Sequence, residues 1–462
     1  MNDALQVFDF PPASRDEWQR RALGVLKGKA LETLYSQTAD GIIIEPLYEP
    51  VSAGAIETGA EGEPWSILQR VDHPEPIQGN ALALDDVKNG ATGLVLTFSG
   101  TQSARGFGLR APNAPSIGMA LKDIPLHAVD LRLEAGSNGL TAAEAMRHVV
   151  LMRGLNPERI NLSFGIDLIG AFAAQGRLGQ SWSDLSPLAA LTASLAQEFA
   201  GPFVEADGRI YHDGGGSEAQ ELGCALAAAV SYLRLFEEKL NDAVLARLIG
   251  VTLAADTDIF LTIAKFRAAR LLWRQILKTC GLPEARLRLH GETSWRMMTR
   301  QDAQGNLLRN VAAVFAAGLG GADSFCALPF SLAQGLPDQF ARRMARNVQI
   351  ILIEESNLHR VADPAKGSGY VDHLTSSLAE KAWEFFQDIE MHGGMVEALE
   401  KGFVQDKIRQ SKHQRMREIA SGKRVIIGVT AFAKMSEVSP SILAIEPKPP
   451  TVLTMEAIQA KR

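Results

Sequence analysis

A short run of hydrogen-bonding side chains, His290, Glu292, Thr293 and Ser294, follows an alternating stretch that ends at Leu289. Imidazole and carboxylate groups can donate or accept hydrogen bonds and exchange protons with a ligand. The period-two alternation predicts a β-strand, so the polar cluster lies where that strand ends. These side chains could bind a ligand there, or they could satisfy one another in a closed polar network.

Small polar residues also recur inside other candidate strands. Thr97 and Ser99 alternate along one of them, and Asn161, Ser163 and Gly165 alternate along another. A barrel of parallel strands normally fills its axis with branched apolar side chains in layers. Small hydroxyl side chains in those places would widen the axis enough for a long, thin ligand. Alternatively, they point toward the surrounding helices or bond to one another.

The elements that must position these residues form a repeating strand and helix pattern from residue 93 onward. Candidate strands are 93–100, 127–134, 159–167, 202–209, 248–254, 286–290 and 323–328, with a weaker eighth at 358–363. Candidate helices are 141–153, 185–199, 217–240, 259–278, 307–318 and 339–355. Seven or eight such repeats predict an α/β fold of the (β/α)8 TIM barrel type. No GxGxxG motif opens a helix after the first strand, which argues against a dinucleotide-binding fold.

Three regions are expected along the chain. Residues 1–50 form an N-terminal arm, apolar yet outside the repeating pattern, which could contact another subunit or pack on its own domain. Residues 51–395 form the barrel. Residues 396–462 form a helical extension followed by a tail that contains several prolines.

Composition excludes several classes of protein. The formal net charge of −6 and the scattered basic residues make nucleic acid an unexpected partner. Three cysteines without CxxC spacing favour a reducing compartment and argue against structural zinc, and no metal site is expected. No apolar run approaches the roughly 20 residues of a membrane span. We therefore expect a cytoplasmic protein that does not contact a membrane.

An ordered set of motifs resembles the methylmalonyl-CoA mutase family. The matching segments are 40–48 (DGIIIEPLY), 64–67 (PWSI), 211–212 (YH), 266–270 (FRAAR), 290–294 (HGETS), 345–349 (ARNVQ), 363–370 (DPAKGSGY) and 393–402 (GGMVEALEKG). Each match is weak alone, but together they run in order over most of the chain. The chain most resembles the small, non-catalytic subunit that lacks the C-terminal cobalamin-binding domain.

The resemblance implies a barrel threaded along its axis by the pantetheine arm of a coenzyme A ester. It also implies adenosylcobalamin chemistry, in which a radical moves a thioester group between adjacent carbons. The small polar strand residues would then line the path of the ester. Candidate substrate-binding residues are Thr97, Ser99, Ser163, Tyr211, His290, Glu292 and Thr293.

Two departures from the family bear on catalysis. The family holds cobalt through a histidine in an Asp-x-His-x-x-Gly motif, and none of the nine histidines here has aspartate two residues before it. Ala60 replaces the tyrosine, and Gln175 the arginine, that meet the substrate in active members. A neutral amide cannot form a charge-assisted pair with the acyl carboxylate, a loss on the order of 1.5–3 kcal/mol.

The Tyr211-His212 pair of the family is present in this chain. His212 could donate a hydrogen bond to a thioester carbonyl, or it is a vestigial histidine satisfied within the core. No residue is therefore assigned a confident catalytic role.

We accordingly expect the small subunit of an adenosylcobalamin-dependent methylmalonyl-CoA mutase, a heterodimeric isomerase that interconverts methylmalonyl-CoA and succinyl-CoA. A larger partner would hold the cobalamin and the acyl-CoA, and this chain alone would bind no cofactor. One alternative is an active acyl-CoA mutase barrel, of the isobutyryl-CoA type for example, that uses a cobalamin domain on a separate chain. The other is a stand-alone acyl-CoA-binding barrel.

Overall fold

The computed structural model describes residues 14–51, 63–176, 185–433 and 439–448. Eight parallel strands form a single sheet at its centre, and helices surround that sheet. No helix in these described residues is long and apolar enough to cross a membrane. The expected α/β class and the (β/α)8 barrel are thereby confirmed.

The sheet closes on itself. Its order is β6-β5-β4-β3-β10-β9-β8-β7, and a parallel bridge between Ile166 and Val204 joins the two outer strands. Glu205 N donates to Ile166 O at 2.9 Å across this seam. The strands are β3 (Ser66–Val71), β4 (Gly93–Thr97), β5 (Asp130–Glu134), β6 (Leu162–Ser163), β7 (Val204–Asp207), β8 (Ile249–Ala255), β9 (Arg288–Thr293) and β10 (Ser324–Cys326).

Helices cover the outside of the barrel, and side-chain caps mark where several of them begin. Ser217 and Gln220 form a capping box, while Asp258, Asp338 and Ser368 each accept from a backbone N–H in the first turn of a helix. The helices are α1 (Arg15–Leu26), α2 (Pro76–Lys88), α3 (Ala114–Ala120), α4 (Gly139–Met152), α5 (Leu168–Gln175), α6 (Ser186–Leu195), α7 (Arg209–Asp213), α8 (Glu218–Phe236), α9 (Asp242–Leu245), α10 (Ile259–Thr279), α11 (Gly305–Gly320), α12 (Gln339–Ile350), α13 (Gly369–Met391), α14 (Met395–Glu400) and α15 (Phe403–Ala420). A π-helical turn, Ile351–Glu355, extends α12.

The position of the eighth strand was predicted wrongly. Residues 358–363 form turns between α12 and α13, whereas the missing strand is β3, the first of the barrel. β3 pairs with β4 on one side and β10 on the other. Its sequence, SILQRV, places Gln69 and Arg70 side by side, so it shows neither a continuous apolar run nor a regular alternation of apolar and polar residues.

The two parts of the N-terminal arm differ in how closely they pack on the barrel. A small hairpin of β1 (Ser36–Gln37) and β2 (Ile43–Ile44) leads into residues 45–51, which pack against the start of α13. Val51 N donates to Gly367 O at 3.3 Å, and the Tyr48 ring lies 5.3 Å from that of Tyr370. Helix α1, in contrast, has no buried residue.

The C-terminal tail crosses the carboxyl end of the barrel. Leu443 N donates to Leu336 O at 2.8 Å, and Lys448 N donates to Gly106 O at 2.7 Å. Leu443 and Ile445 pack on a small apolar cluster formed by Phe107, Leu328, Leu332 and Leu336. The tail therefore lies over the face where the active sites of such barrels are found.

Candidate functional site: ion pairs across the barrel axis

Three arginines and three glutamates occupy the interior of the barrel. All six side chains are at most 6% exposed. They are Arg70 on β3, Arg132 and Glu134 on β5, Glu205 on β7, Arg209 at the start of α7, and Glu292 on β9. The axis is therefore lined by charged residues at the level where a barrel usually has branched apolar layers.

Arg132 links strands that are not neighbours in the sheet. Its Nη2 lies 2.6 Å from Thr252 Oγ1 on β8 and 3.1 Å from Glu205 Oε1 on β7. Thr252 Oγ1 also donates to Glu205 Oε1 at 2.7 Å. Because β5 and β8 are separated by two strands, these bonds cross the hollow of the barrel rather than run along the sheet.

Arg209 joins this group to the opposite wall. Its Nη2 lies 2.7 Å from Glu134 Oε1, and its Nη1 lies 2.9 Å from Glu292 Oε2. Glu292 is also 3.3 Å from Arg70 Nη1. Arg132 Nε lies 3.5 Å from Glu134 Oε1, so the six charges form one continuous series of alternating sign, which we call the axial ion-pair chain.

The opposite charges stabilise one another within the axial ion-pair chain. Burial alone would raise the pKa of Glu134, but Arg209 and Arg132 outweigh it and hold that pKa well below its usual range. At Glu292 burial raises the pKa, although Arg209 and Arg70 oppose the shift. Removing one member would leave its partner charged and buried, which typically costs about 3–5 kcal/mol.

The axial ion-pair chain lies between two cavities. One of about 320 Å³ opens at the amino ends of the strands and is lined by Ser66, Ser324 and Arg132 among others. The other lies on the carboxyl side and holds only about 60 Å³, with Glu134 and Arg209 in its lining. Arg132 lines both cavities and therefore lies between them.

Two of the predicted substrate-binding residues, Ser163 and His290, line the larger cavity. His290 Nδ1 lies 2.8 Å from Ser324 Oγ, while its buried Nε2 has no hydrogen-bond partner among the described residues. Burial, together with Arg132 and Arg209, places the pKa of His290 well below its usual value, so the ring is neutral. Ser163 Oγ accepts from Arg132 at 3.4 Å.

The other predicted substrate-binding residues are dispersed. Thr97 is fully buried on β4 without a described partner for its hydroxyl, and Ser99 is half-buried just beyond that strand. Thr293 Oγ1 accepts from Leu328 N at 3.1 Å. Tyr211 is buried in α7, and burial raises the pKa of its phenol well above the usual value. Glu292 belongs to the axial ion-pair chain, so a ligand role for this set stays a prediction.

His212 lies in a second buried polar cluster on the carboxyl side of the barrel. Its Nε2 is 2.9 Å from Ser294 Oγ, and its Nδ1 is 2.9 Å from Glu221 Oε2. Burial and Arg296 act to lower the pKa of His212, but Glu221 and Glu218 raise it above its ordinary value. Both ring nitrogens therefore already face protein groups.

The same cluster contains three potential metal ligands. His212, Glu218 and Glu221 place ligand atoms within 4.8 Å of one another. Lys265 is fully buried, and its ammonium hydrogen-bonds Glu218 and lies 2.6 Å from Glu221. A cation binding here would have to displace that ammonium, so the cluster is best described as a compensated ion-pair network.

The two positions that distinguish this chain from active members are only partly visible. Gln175 ends α5 and borders the small carboxyl-side cavity together with Asp167. Ala60 lies outside the described residues. Because residue 175 is not an arginine, the guanidinium groups that line this cavity are those of Arg132 and Arg209. Arg132 is paired with Glu205, and Arg209 is paired with Glu134.

The axial ion-pair chain was not predicted from the sequence. Arg132 and Glu134 alternate with Leu131 and Leu133, a pattern that places two charges on one face of a fully buried strand. This signal could have been found. The partners that neutralise those charges could not have been found in this way, because they are distant in the chain: Arg132 and Glu205 are 73 residues apart.

Comparison with known proteins places the fold and its residues in a family. The methylmalonyl-CoA mutase family profile matches residues 27–462. The chain is 37% identical to the methylmalonyl-CoA mutase small subunit of Streptomyces virginiae, over 93% of this chain and 72% of that protein. It is 32% identical to the small subunit of Propionibacterium freudenreichii subsp. shermanii, over 92% and 69% respectively.

A protein named methylmalonyl-CoA mutase, without a subunit designation, is also similar to this chain. The chain is 27% identical to the Escherichia coli protein, over 96% of this chain and 68% of that one. The identity is higher toward the proteins named as small subunits, which agrees with the motif comparison. The chain belongs to the methylmalonyl-CoA mutase family, and the relatives to which it is similar include proteins named as small subunits.

Proposed function

We propose that this chain is the non-catalytic small subunit of an adenosylcobalamin-dependent methylmalonyl-CoA mutase. A larger subunit would hold the cobalamin and perform the rearrangement between methylmalonyl-CoA and succinyl-CoA. The observation that carries the proposal is the axial ion-pair chain, because it occupies the path that a coenzyme A ester would need. The relatives named as small subunits support the existence of a larger partner.

A ligand threaded along the barrel axis would have to displace the axial ion pairs. A pantetheine arm along the axis would have to separate pairs such as Arg209–Glu134 and Arg132–Glu205, which lie at 2.7 and 3.1 Å. Each separation leaves buried charges without their partners, at about 3–5 kcal/mol. An amide and thioester arm offers no charge in return. Binding along the axis is therefore disfavoured.

The residues at the carboxyl end do not fit cobalamin. The tail contacts Leu336 and Gly106 across this face, and the Arg105 guanidinium lies over the Trp295 ring at 4.6 Å. His212, the histidine that the motifs place near the reacting centre, faces Ser294 and Glu221 with its two nitrogens. Neither nitrogen is available to a cobalt ion without breaking this cluster.

The N-terminal arm is proposed as a contact with the larger subunit. In α1, Leu23 and Val25 are 41% and 80% exposed, and in the turn that follows, Leu34 is 42% exposed. Residues 36–51 contact the barrel, so the preceding helix is held close to the surface, where Trp18 and Leu26 are half-buried while Leu23 and Val25 stay exposed. Leu23 and Val25 lie on different sides of the helix because they are two residues apart, and covering either of them with another protein would stabilise it.

Titration with both ligands tests the proposal. The purified chain and its complex with the larger subunit are each titrated with adenosylcobalamin and with methylmalonyl-CoA, with the larger subunit alone as the control. We expect binding and turnover only when the larger subunit is present. Turnover by this chain with an isolated cobalamin domain would instead establish the active-barrel alternative. Acyl-CoA binding by this chain alone would favour the stand-alone binding barrel.

A further inference from the structure

The larger of the two cavities, about 320 Å³ in volume, lies inside the barrel at the amino ends of the strands. This volume equals that of roughly ten water molecules in the liquid, which is enough for a small organic molecule. Polar residues of three neighbouring strands line it: Ser324 on β10 pairs in register with Ser66 on β3 and with His290 on β9. The cavity is therefore suited to a polar ligand.

His290 lines this cavity and has one ring nitrogen without a partner. Its side chain is 3% exposed, and Nδ1 lies 2.8 Å from Ser324 Oγ. Nε2 is buried and forms no hydrogen bond with any residue that the structure describes. Buried polar atoms are nearly always paired, so water or a ligand in the cavity is expected to supply the partner. Because the ring is neutral, Nε2 either donates or accepts, and a hydroxyl group can match both cases.

The inner end of the cavity is formed by Arg132, whose charge is already compensated. Arg132 Nη2 lies 3.1 Å from Glu205 Oε1, and Nη1 donates to Ser163 Oγ at 3.4 Å. An anion at this depth would compete with Glu205 for the same guanidinium group. The inner end therefore favours uncharged hydrogen-bonding groups such as hydroxyls, which can bond to Ser163 or to His290.

One guanidinium group at the mouth of the cavity has no carboxylate partner. Arg288 is exposed, and its Nη2 donates to Asn161 Oδ1 at 2.6 Å. Among the described residues it forms no ion pair, whereas the nearby Arg286 is paired with Asp323. Arginine presents several N–H groups in a planar fork that fits carboxylate and phosphate oxygens. The mouth can therefore bind one anionic group at Arg288.

Three carboxylates at the mouth limit how much negative charge a ligand can carry. Asp323 is neutralised by Arg286, and Glu63 is exposed, so that water and salt screen its charge. Asp130 accepts from Asn161 at 2.5 Å, and no described residue forms an ion pair with it. A ligand with several anionic groups would place some of them close to Asp130. The mouth therefore favours a single anionic group.

From the unpaired Nε2 of His290, the unpaired guanidinium at the mouth and the size of the space that both line, we infer that the amino-end cavity binds a small hydroxylated molecule with one anionic group. The carboxylate or phosphate of this ligand lies at Arg288, and its hydroxyl groups reach His290 and Ser163. A coenzyme A ester does not meet these requirements, because it carries several phosphate charges and its arm would have to pass Arg132. The inference is independent of the proposed function, since every residue of the site belongs to this chain.

Calorimetric titration of the purified full chain tests the ligand class. Glucose 6-phosphate and gluconate combine hydroxyl groups with a phosphate or a carboxylate, and both have a size that suits the cavity. Glucose, inorganic phosphate and acetate supply the separate halves, and coenzyme A is the competing ligand. We expect at least one of the two combined probes to bind at least tenfold tighter than either of its halves. Coenzyme A is expected not to displace it.

Three variants locate the site. Arg288→Gln removes the charge at the mouth and should raise the dissociation constant of the combined probe at least tenfold. His290→Asn keeps a polar group near Ser324 but removes Nε2, and it should raise that constant at least fivefold. The control, Arg159→Gln, removes an exposed charge just before β6, at the same end of the barrel but outside the cavity lining, and should bind like the wild type. Thermal unfolding of each variant confirms that folded proteins are compared.

Nitrogen NMR of the chain labelled at histidine shows how deep the ligand reaches. The His290 Nε2 resonance, identified by its loss in His290→Asn, should shift with the combined probe and stay unchanged with inorganic phosphate, which reaches only Arg288. Equal affinity for inorganic phosphate and glucose 6-phosphate would leave only an anion site at the mouth and overturn the inference. No binding of either combined probe at millimolar concentration would also overturn it. Displacement by coenzyme A would overturn it and would count against the closed axis as well.

Discussion

Arg132 on β5 reaches across the barrel to Thr252 on β8, with 2.6 Å between Nη2 and Oγ1. The same guanidinium group lies 3.1 Å from Glu205 on β7. One side chain therefore connects three strands through the interior and lies where a threaded ligand would pass. The consequences for stability and for ligand binding can be measured separately.

Replacement of Arg132 by leucine should destabilise the chain by about 3–5 kcal/mol, because Glu205 would be left buried without its cation. Chemical denaturation of the purified chain measures this difference. The double variant Arg132→Leu with Glu205→Leu removes both charges and should recover part of the loss. Equal stability of the single variant and the wild type would mean that the pair does not form.

The pH dependence of stability should contain a contribution from Asp167. Burial raises the pKa of this carboxyl from 3.8 to about 7, and Asp207 adds to the shift. The folded-state pKa lies above the unfolded value, so the stability from this group is fully present below about pH 4 and is lost as the pH rises through about 7. Wild-type stability should fall over this range relative to Asp167→Asn.

Asparagine is a matched substitution at this position. Its side-chain oxygen can still accept from Gly170 N, as Asp167 Oδ1 does at 2.8 Å, and it can still accept from the Tyr232 hydroxyl. The difference in unfolding free energy between the two proteins is measured at pH 4, 5, 6, 7 and 8. A constant difference at all five values would show that Asp167 keeps an ordinary pKa.

Gly369 is expected to be essential for fixing the arm. A Cβ atom at this residue would collide with the carbonyl oxygen of Glu49, so Gly369→Ala should displace residues 45–51 from the start of α13. Limited proteolysis should then cut the arm faster than in the wild type. Gly24→Ala in α1 is the control, since nothing lies within 4 Å of its Cβ position, and it should not increase cleavage near residues 45–51. Unchanged cleavage of Gly369→Ala would contradict this docking of the arm.

His212 should matter for stability and not for turnover of the assembled enzyme. His212→Ala removes the partner of Ser294 and Glu221 from a fully buried site, and we expect a loss of about 1–3 kcal/mol. The kcat of the complex with the larger subunit should stay within twofold of the wild-type value when the complex is saturated. A large decrease in kcat at unchanged stability would give His212 a catalytic role after all.

Much of the barrel was predictable because its buried strands carry local signals. Seven of the eight strands overlap the predicted ranges, and helix α10 was placed to within one residue at its end. β3 was missed since Gln69 and Arg70 interrupt its alternation, although both are buried. Residues 358–363 form turns after the π-helical turn that extends α12, and Leu358 and Val361, which are three residues apart, lack the alternation of a strand.

The candidate site was less predictable for a physical reason. The type of a residue indicates a charge, but its function depends on what neutralises that charge, and here the partners come from distant strands. Glu292 was expected to meet a ligand, and instead Arg70 and Arg209 lie 3.3 and 2.9 Å from it. The small polar residues that favoured a widened axis are present, but the long side chains of Arg132 and Arg209 occupy the space beside them.

The stoichiometry of acyl-CoA binding to the heterodimer tests most directly whether this barrel is closed to substrate. Calorimetric titration of the assembled complex with methylmalonyl-CoA should give one site per heterodimer, and the same titration of this chain alone should give none. Either of two results would contradict a barrel axis closed by ion pairs. One is two binding sites per heterodimer. The other is one site on the isolated chain from which another coenzyme A ester displaces methylmalonyl-CoA.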